Sequence, residues 1–289
     1  MGLEDARARF DRIPYVTFLG IELTQLSHQH AVVRLPYNSV HTNQNGVING
    51  GATATLMQVA GTLAAWSGID LQGNVYLSTV DFSVQYLSAA IDQDVIGTGR
   101  VLRRGRDLFF LQTEVHTLKE QPICQGLMIY RAPSATGQAR RMVAQPHLLP
   151  SLPLCVTPNA KLGLGGFIDK LQVTSLAESR GRARLRMPSS TDHTDDQGYL
   201  HDGALTALLD IAGTAAAWSL VKRQGSRGAT IGMQLSFLNP TSDPVVADAH
   251  VQQRSEELFF STVQIASEVD QQLVAIGQVS YRIIEPVVD

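Results

Sequence analysis

Apolar and polar residues alternate with a period of two over several stretches of the chain. In the first part these are 18–27, 29–36, 76–87, 94–104, 108–118 and 123–132. In the second part they are 167–176, 180–187, 229–238, 245–254, 258–268 and 273–284. Thr, Val, Ile, Tyr and Phe dominate these runs, and turn sequences such as "KEQ" and "VDQQ" separate them, so each predicts a β-strand. The alternation fails twice, at 49–67 ("NGGATATLMQVAGTLAAWS") and at 201–219 ("HDGALTALLDIAGTAAAWS"). Both segments are too long and too rich in Ala and Leu for a strand, and apolar nearly all round, which predicts a buried helix. Gly61 and Gly213 lie inside these helices at a cost in propensity, and predict close approach of another backbone there. A buried helix needs a sheet to cover it. Each half therefore predicts an α+β unit in which an antiparallel sheet wraps a long central helix.

The two helical segments share ten of 19 aligned residues. The match continues: 78–90 aligns with 229–241, 103–115 with 253–265, and 123–133 with 274–286. A period of about 150 residues makes each repeat a whole domain. The predicted organisation is a first domain at 1–133, a linker at 134–153 and a second domain at 154–289. The linker is rich in Pro, Ser, Ala and Arg, which suits irregular chain.

Composition narrows the function classes. Apolar residues make up 44% and charged residues 17%, enough to bury a sizeable core. The net charge of −3 gives no case for nucleic-acid binding by bulk charge. No apolar run reaches the ~18–20 residues of a membrane span, and "MGLEDARARF" has no apolar signal core. Cys124 and Cys155 have no metal-ligand spacing and suit buried thiols in a reducing compartment. The expectation is a soluble cytoplasmic protein with neither metal nor cofactor. No HExxH, GxSxG or CxxC pattern occurs, which argues against zinc hydrolases and serine-nucleophile thioesterases.

The stretches "NQNGVINGGATATLMQVAGT" and "DQGYLHDGALTALLDIAGT" resemble the hotdog-fold acyl-CoA thioesterases, the phenylacetyl-CoA thioesterase branch in particular. That pattern runs Asn-x-x-Gly-x-x-His-Gly-Gly, with an acid seven residues after the second Gly. Neither repeat keeps all of it. The first has Asn43, Gly46, Gly50 and Gly51, but Asn49 for His and Gln58 for the acid. The second has His201, Gly203 and Asp210, but Asp195 for Asn and Asp202 for a Gly. The resemblance implies two hotdog domains in tandem, paired through antiparallel central helices, with acyl-CoA sites between them. Association of sheet edges in such units implies a homodimer of tandem chains.

Spacing then assigns partners. A thioester carbonyl needs a donor at its oxygen and a base or nucleophile near its carbon. Gly51 and Gly203 sit at helix starts, where N–H groups are free. Asp210 is seven residues past Gly203, ~10 Å along the same helix, so one carbonyl cannot touch both. If the helices are antiparallel, Asp210 faces Gly51 and Gln58 faces Gly203. One composite site then joins Gly51, Asn43 and Asn49 with Asp210. The other joins Gly203, His201, Asp195 and Thr79 with Gln58 and is degenerate, because an amide takes no proton. Thr230 is expected to hydrogen-bond Asp210, as the family's Ser/Thr does. The order Asp210, Thr230, Gln278 is also similar to the acyl-CoA thioesterase II group, which implies a role for Gln278. Arg103, Arg104 and Arg106 are candidate CoA-phosphate ligands, against the usual fate of such a run as a solvated face. Trp66 and Trp218, at equivalent helix ends, predict packing. The function read here is acyl-CoA thioester hydrolysis at one competent site. The alternatives are a non-catalytic acyl-CoA or acyl-carrier binder, and after it a hotdog hydratase or dehydratase.

Overall fold

The computed structural model describes residues 2–43, 46–69, 77–131, 160–161, 166–221 and 224–286. The predicted linker, 134–153, lies outside the described residues, as does Cys155. The first half contains helices α1 (Gly2–Phe10) and α2 (Pro14–Leu19), strands β1 (Glu22–Ser27) and β2 (His30–Leu35), and the long helix α3 (Gly50–Trp66). Strands β3 (Ser78–Tyr86), β4 (Val95–Arg104), β5 (Leu108–Thr117) and β6 (Pro122–Arg131) follow. The second half runs β7 (Ala160–Lys161), α4 (Gly166–Lys170), β8 (Thr174–Ser179), β9 (Arg182–Met187) and the long helix α5 (Asp202–Trp218). It ends with β10 (Arg227–Phe237), β11 (Val245–Ser255), β12 (Leu258–Ser267) and β13 (Leu273–Ile284).

Among the described residues the strands form one antiparallel sheet in the order β1-β2-β4-β5-β6-β3-β10-β13-β12-β11-β9-β8-β7. The halves meet at the β3–β10 seam, where Ser83 pairs with Gln234 and Ser236 donates to Asp81 at 2.8 Å. Period-two alternation sets which face is buried. Ala31, Val33 and Leu35 of β2 turn inward, as do Ala183, Leu185 and Met187 of β9. α3 packs on β2, β4 and β5, and α5 on β9, β11, β12 and β13. Each repeat closes its helix end alike: Trp66 donates to the Tyr130 hydroxyl at 2.8 Å, and Trp218 to that of Tyr281 at 3.0 Å.

Two expectations at the strand and helix level need correction. The runs at 18–27 and 167–176 each begin in a short helix, α2 or α4, before the strand starts. Pro14 opens α2 at a position that lacks an N–H partner anyway, and Gly20, at φ 70°, closes it in the left-handed region. Gly213 does not admit a backbone, whereas the β4 backbone does come close at Gly61. A Cβ at Gly61 would lie 2.7 Å from Met128 Sδ, and one at Gly213 2.7 Å from Val279 Cγ2, so sheet side chains fill both places. The approach at Gly61 is made by a strand glycine: a Cβ at Gly99 would lie 2.3 Å from the Ala60 carbonyl oxygen and 2.6 Å from the Gly61 nitrogen. Gly99→Ala should force α3 off β4 and destabilise the fold by about 1–3 kcal/mol, read as a lower Tm; an unchanged Tm would show slack there that the packing denies.

The long helices meet near their starts. A Cβ at Gly51 would lie 2.8 Å from Ala207 Cα, and one at Gly203 2.7 Å from Thr55 Cγ2. Thr55 also donates across the contact to the Gly203 carbonyl at 3.2 Å. As the number rises along α3 it falls along α5, so the two helices are antiparallel. No helix among the described residues is long and apolar enough to cross a membrane.

Candidate active site

Antiparallel helices bring the start of each against the second and third turns of the other. At the start of α3, Asn49 is the N-cap: its Oδ1 accepts the Gly51 N–H at 2.8 Å. The Ala52 and Thr53 N–H groups donate to the Asn49 carbonyl. The Gly50 N–H has no hydrogen-bond partner among the described residues. The free donor is therefore Gly50, one residue before the expected Gly51, because Asn49 has taken the Gly51 N–H. Asn43 brackets the loop before α3, its side-chain oxygen accepting from Val47 N–H at 3.2 Å.

Asp210 of the second repeat reaches this helix start. A Cβ on Gly50 would lie 3.2 Å from Asp210 Oδ2 and 3.2 Å from the Tyr86 hydroxyl oxygen. Glycine at position 50 keeps that space open. Thr230, on β10, donates to Asp210 Oδ1 at 2.7 Å. Asp210 is buried, and burial pushes its carboxyl up to about 6, against the pull of the Thr230 bond. Tyr86 donates to the Gly50 carbonyl at 2.8 Å, and its phenol is raised by burial and by the Asp210 charge. Sequence reasoning places the Tyr residues of 76–87 along the acyl pocket but gives Tyr86 no part at the helix start; the repeat alignment, which sets it opposite Phe237, held that signal.

The pseudo-equivalent cleft lies at the start of α5. His201 is the N-cap, its Nδ1 accepting the Gly203 N–H at 2.9 Å. Nδ1 as acceptor puts the proton of the neutral ring on Nε2, and burial lowers the ring's pKa to about 4. Asp195 repeats the loop role of Asn43, accepting from Gln197 and Tyr199 N–H at 2.8 and 3.0 Å. Gln58, 1% exposed, accepts from Thr206 at 3.1 Å through Oε1, while its Nε2 has no partner. A carboxylate is present here after all. Asp202 occupies the place that Gly50 holds in the first cleft and accepts the Thr79 N–H at 3.3 Å. Burial pushes its carboxyl up to about 6, with Thr79 restraining the rise.

The two clefts therefore share a rule. Where the helix start is Gly50, the residue opposite is Asp210; where it is Asp202, the residue opposite is Gln58. Two carboxylates so close would each penalise the other's ionisation, and each cleft holds one at this position.

Some predicted residues are not brought to either helix start. Gln278 points outward: Gly277 and Val279 face α5, and the alternation of β13 leaves Gln278 exposed on the opposite face. Arg103, Arg104 and Arg106 lie in and after β4 and are exposed. Arg104 donates to the carbonyl of Gly68, beyond the C-terminus of α3, some 24 Å along the helix from Gly50. Among the described residues no group of three or more His, Cys, Asp or Glu is arranged to hold a metal ion.

Chemically, the first cleft opposes a free backbone donor to a buried carboxylate whose proton affinity suits transfer near neutral pH. Comparison with known proteins agrees with hydrolase chemistry. The thioesterase superfamily profile matches residues 45–124 and 197–274, once in each repeat. Human acyl-coenzyme A thioesterase 13 is 26% identical over 109 residues, covering 37% of this chain and 76% of that protein. Among solved structures, a hot dog fold protein from Alicyclobacillus acidocaldarius superposes with a TM-score of 0.69 at 14% identity, covering 96% of this chain and 98% of that one. Acyl-CoA thioesterase II TesB2 from Mycobacterium marinum does so with a TM-score of 0.65 at 13% identity, covering 94% and 98%. At those identities the two structures speak to the fold, which is two hotdog domains in tandem. With both repeats matched, over more than half of its length, the chain belongs to the thioesterase superfamily of thioester hydrolases.

Proposed function

We propose that the protein hydrolyses acyl-CoA thioesters at one competent composite site, built from the start of α3 and the Asp210 face of α5. The observation that carries this reading is the opposition of Asp210 Oδ2 to Gly50 across the two repeats. The thioester oxygen accepts the Gly50 N–H, and the Gly51 N–H in competition with Asn49. Asp210 takes a proton from water, and the resulting hydroxide attacks the carbonyl carbon. Collapse of the tetrahedral intermediate breaks the C–S bond, and Asp210 returns the proton to the leaving thiolate. Thr230 holds the carboxylate in place, and Asn43 shapes the loop that carries the helix start. An acyl-CoA substrate is supported by the relatives' names, and the homodimer by exposed Phe110 and Leu127 on the sheet. Light scattering in solution would measure that assembly.

Thiol release across a panel of acyl-CoAs tests the activity; stoichiometric binding with no thiol released would replace it with the binder reading. The hydratase reading loses ground because His201 spends Nδ1 on its cap and burial keeps the ring neutral. The pH profile follows from Asp210. A base must be deprotonated, so kcat/KM should rise tenfold per unit up to pH about 6 and level off above it. A profile flat from pH 5 to 8 would remove Asp210 from the role of base.

A further inference from the structure

The two repeats differ by one hydroxyl beside the first cleft. Tyr86 of β3 and Phe237 of β10 occupy equivalent positions, and both rings pack against the same core. Phe237 shows that a ring without a hydroxyl fills this place, so packing alone gives no reason for the phenol. The hydroxyl stands where the proton acceptor stands. Tyr86 borders the start of α3 opposite Asp210, whereas Phe237 lines the cleft that has Gln58. Tyr86 donates its one proton to the Gly50 carbonyl at 2.8 Å. Burial, and after it the Asp210 charge, hold the phenol well above its usual range, so that proton stays in place at any working pH. The lone pairs of the Tyr86 oxygen remain for another donor.

Asp210 is arranged to match. Its Oδ1 accepts from Thr230, and its Oδ2 accepts no hydrogen bond among the described residues. Oδ2 and the Tyr86 oxygen each lie 3.2 Å from the point where a Cβ on Gly50 would sit. Both therefore border one space over the Gly50 Cα, at most twice that distance apart. A single water donating to two oxygens spans about 5–6 Å. Water has two donors, and this space offers it two acceptors. A water held by Asp210 alone swings about that one bond. A second bond fixes its other proton, and with it the direction in which its lone pairs point.

We propose that the Tyr86 oxygen is the second acceptor for the attacking water and so aims it at the thioester carbon. The inference rests on hydrolysis at the Asp210 cleft. One water proton passes to Asp210 Oδ2 as the oxygen–carbon bond forms. The other stays on the new hydroxyl group, still bonded to Tyr86. A high-resolution crystal structure of the complete chain without substrate tests this first. One ordered water should lie within about 3 Å of both Asp210 Oδ2 and the Tyr86 oxygen, and Tyr86→Phe should lack it. That readout needs no turnover, so it stands apart from failure of the hydrolytic reading, which would show as no thiol released by wild type. In turnover, Tyr86→Phe should lower kcat by about 10- to 100-fold with KM within about twofold of wild type. Thr53→Val is the control. Thr53 donates to the same Gly50 carbonyl at 2.9 Å, and the substitution removes that bond while leaving the Tyr86 oxygen in place. If Tyr86 only held the carbonyl, the two variants would lose activity alike; Thr53→Val should instead keep the wild-type kcat. No bridging water in wild type, a wild-type kcat in Tyr86→Phe, or equal losses in the two variants would overturn the assignment.

Discussion

Replacing Asp210 with Asn should lower kcat/KM for an acyl-CoA by about 10²- to 10⁴-fold, the usual range for losing a positioned proton acceptor. Asn has nearly the same shape and can still accept from Thr230, so the loss isolates the charge. Stability should move the other way. Folding raises the Asp210 pKa from an ordinary 3.8 to about 6. Between those values the folded state keeps a proton that the unfolded chain has released, so stability falls as pH rises through this window. Above pH 6 the full cost of the buried charge is present, on the order of 2–3 kcal/mol. Asp210→Asn removes that cost. Its Tm should exceed wild type at pH 7.5 and approach it near pH 4. A variant both less active and more stable is what a functional buried charge predicts. Unchanged turnover would end the mechanism.

Gly50→Asp should be nearly as damaging. It copies into the first cleft the residue that the second cleft carries as Asp202. There the residue opposite is Gln58; here it is Asp210, whose Oδ2 would lie 3.2 Å from the new Cβ. Two carboxylates at that range cannot both ionise at ordinary pH, so the pair keeps a proton to higher pH. The expected result is a fall of about 100-fold at pH 7, with the acidic limb of the kcat/KM profile moved upward by about one unit or more. Gly50→Ser, similar in bulk without charge, should lose activity but leave the limb in place. An unshifted limb in Gly50→Asp would mean that Asp210 and position 50 are not neighbours in the working enzyme.

Much of this was legible in the residues. Strand alternation and two all-apolar helices outlined both domains, because a half-buried sheet face and a fully buried helix leave distinct periods in the chain. The proposal of a composite site followed from one length: seven residues of helix separate Gly203 from Asp210, too far for one carbonyl, so the proposed partner had to come from elsewhere. α1 escaped notice because its stretch is charged and its anchors, Arg9 on Asp196 and Trp66, are distant in the chain. Gly50 was passed over for Gly51 because a cap hydrogen bond made by Asn49 does not appear in a spacing. Asp202 was read as a lost glycine. Its meaning depends on Gln58, which only the antiparallel crossing sets beside it. Gln278 was carried by likeness to a second group, and the register of β13 turns it to the outer face. The Arg103–Arg106 run was chosen by charge alone, which says nothing about which helix end it would meet.

The most direct measurement is a crystal structure of the complete chain with a non-hydrolysable ketone analogue of an acyl-CoA. The ketone oxygen should lie about 3 Å from the Gly50 nitrogen, with an Asp210 oxygen, or one water held by it, about 3–3.5 Å from the carbonyl carbon. A ketone bound away from the start of α3, with Asp210 still buried against Thr230 and touching neither analogue nor water, would contradict the account.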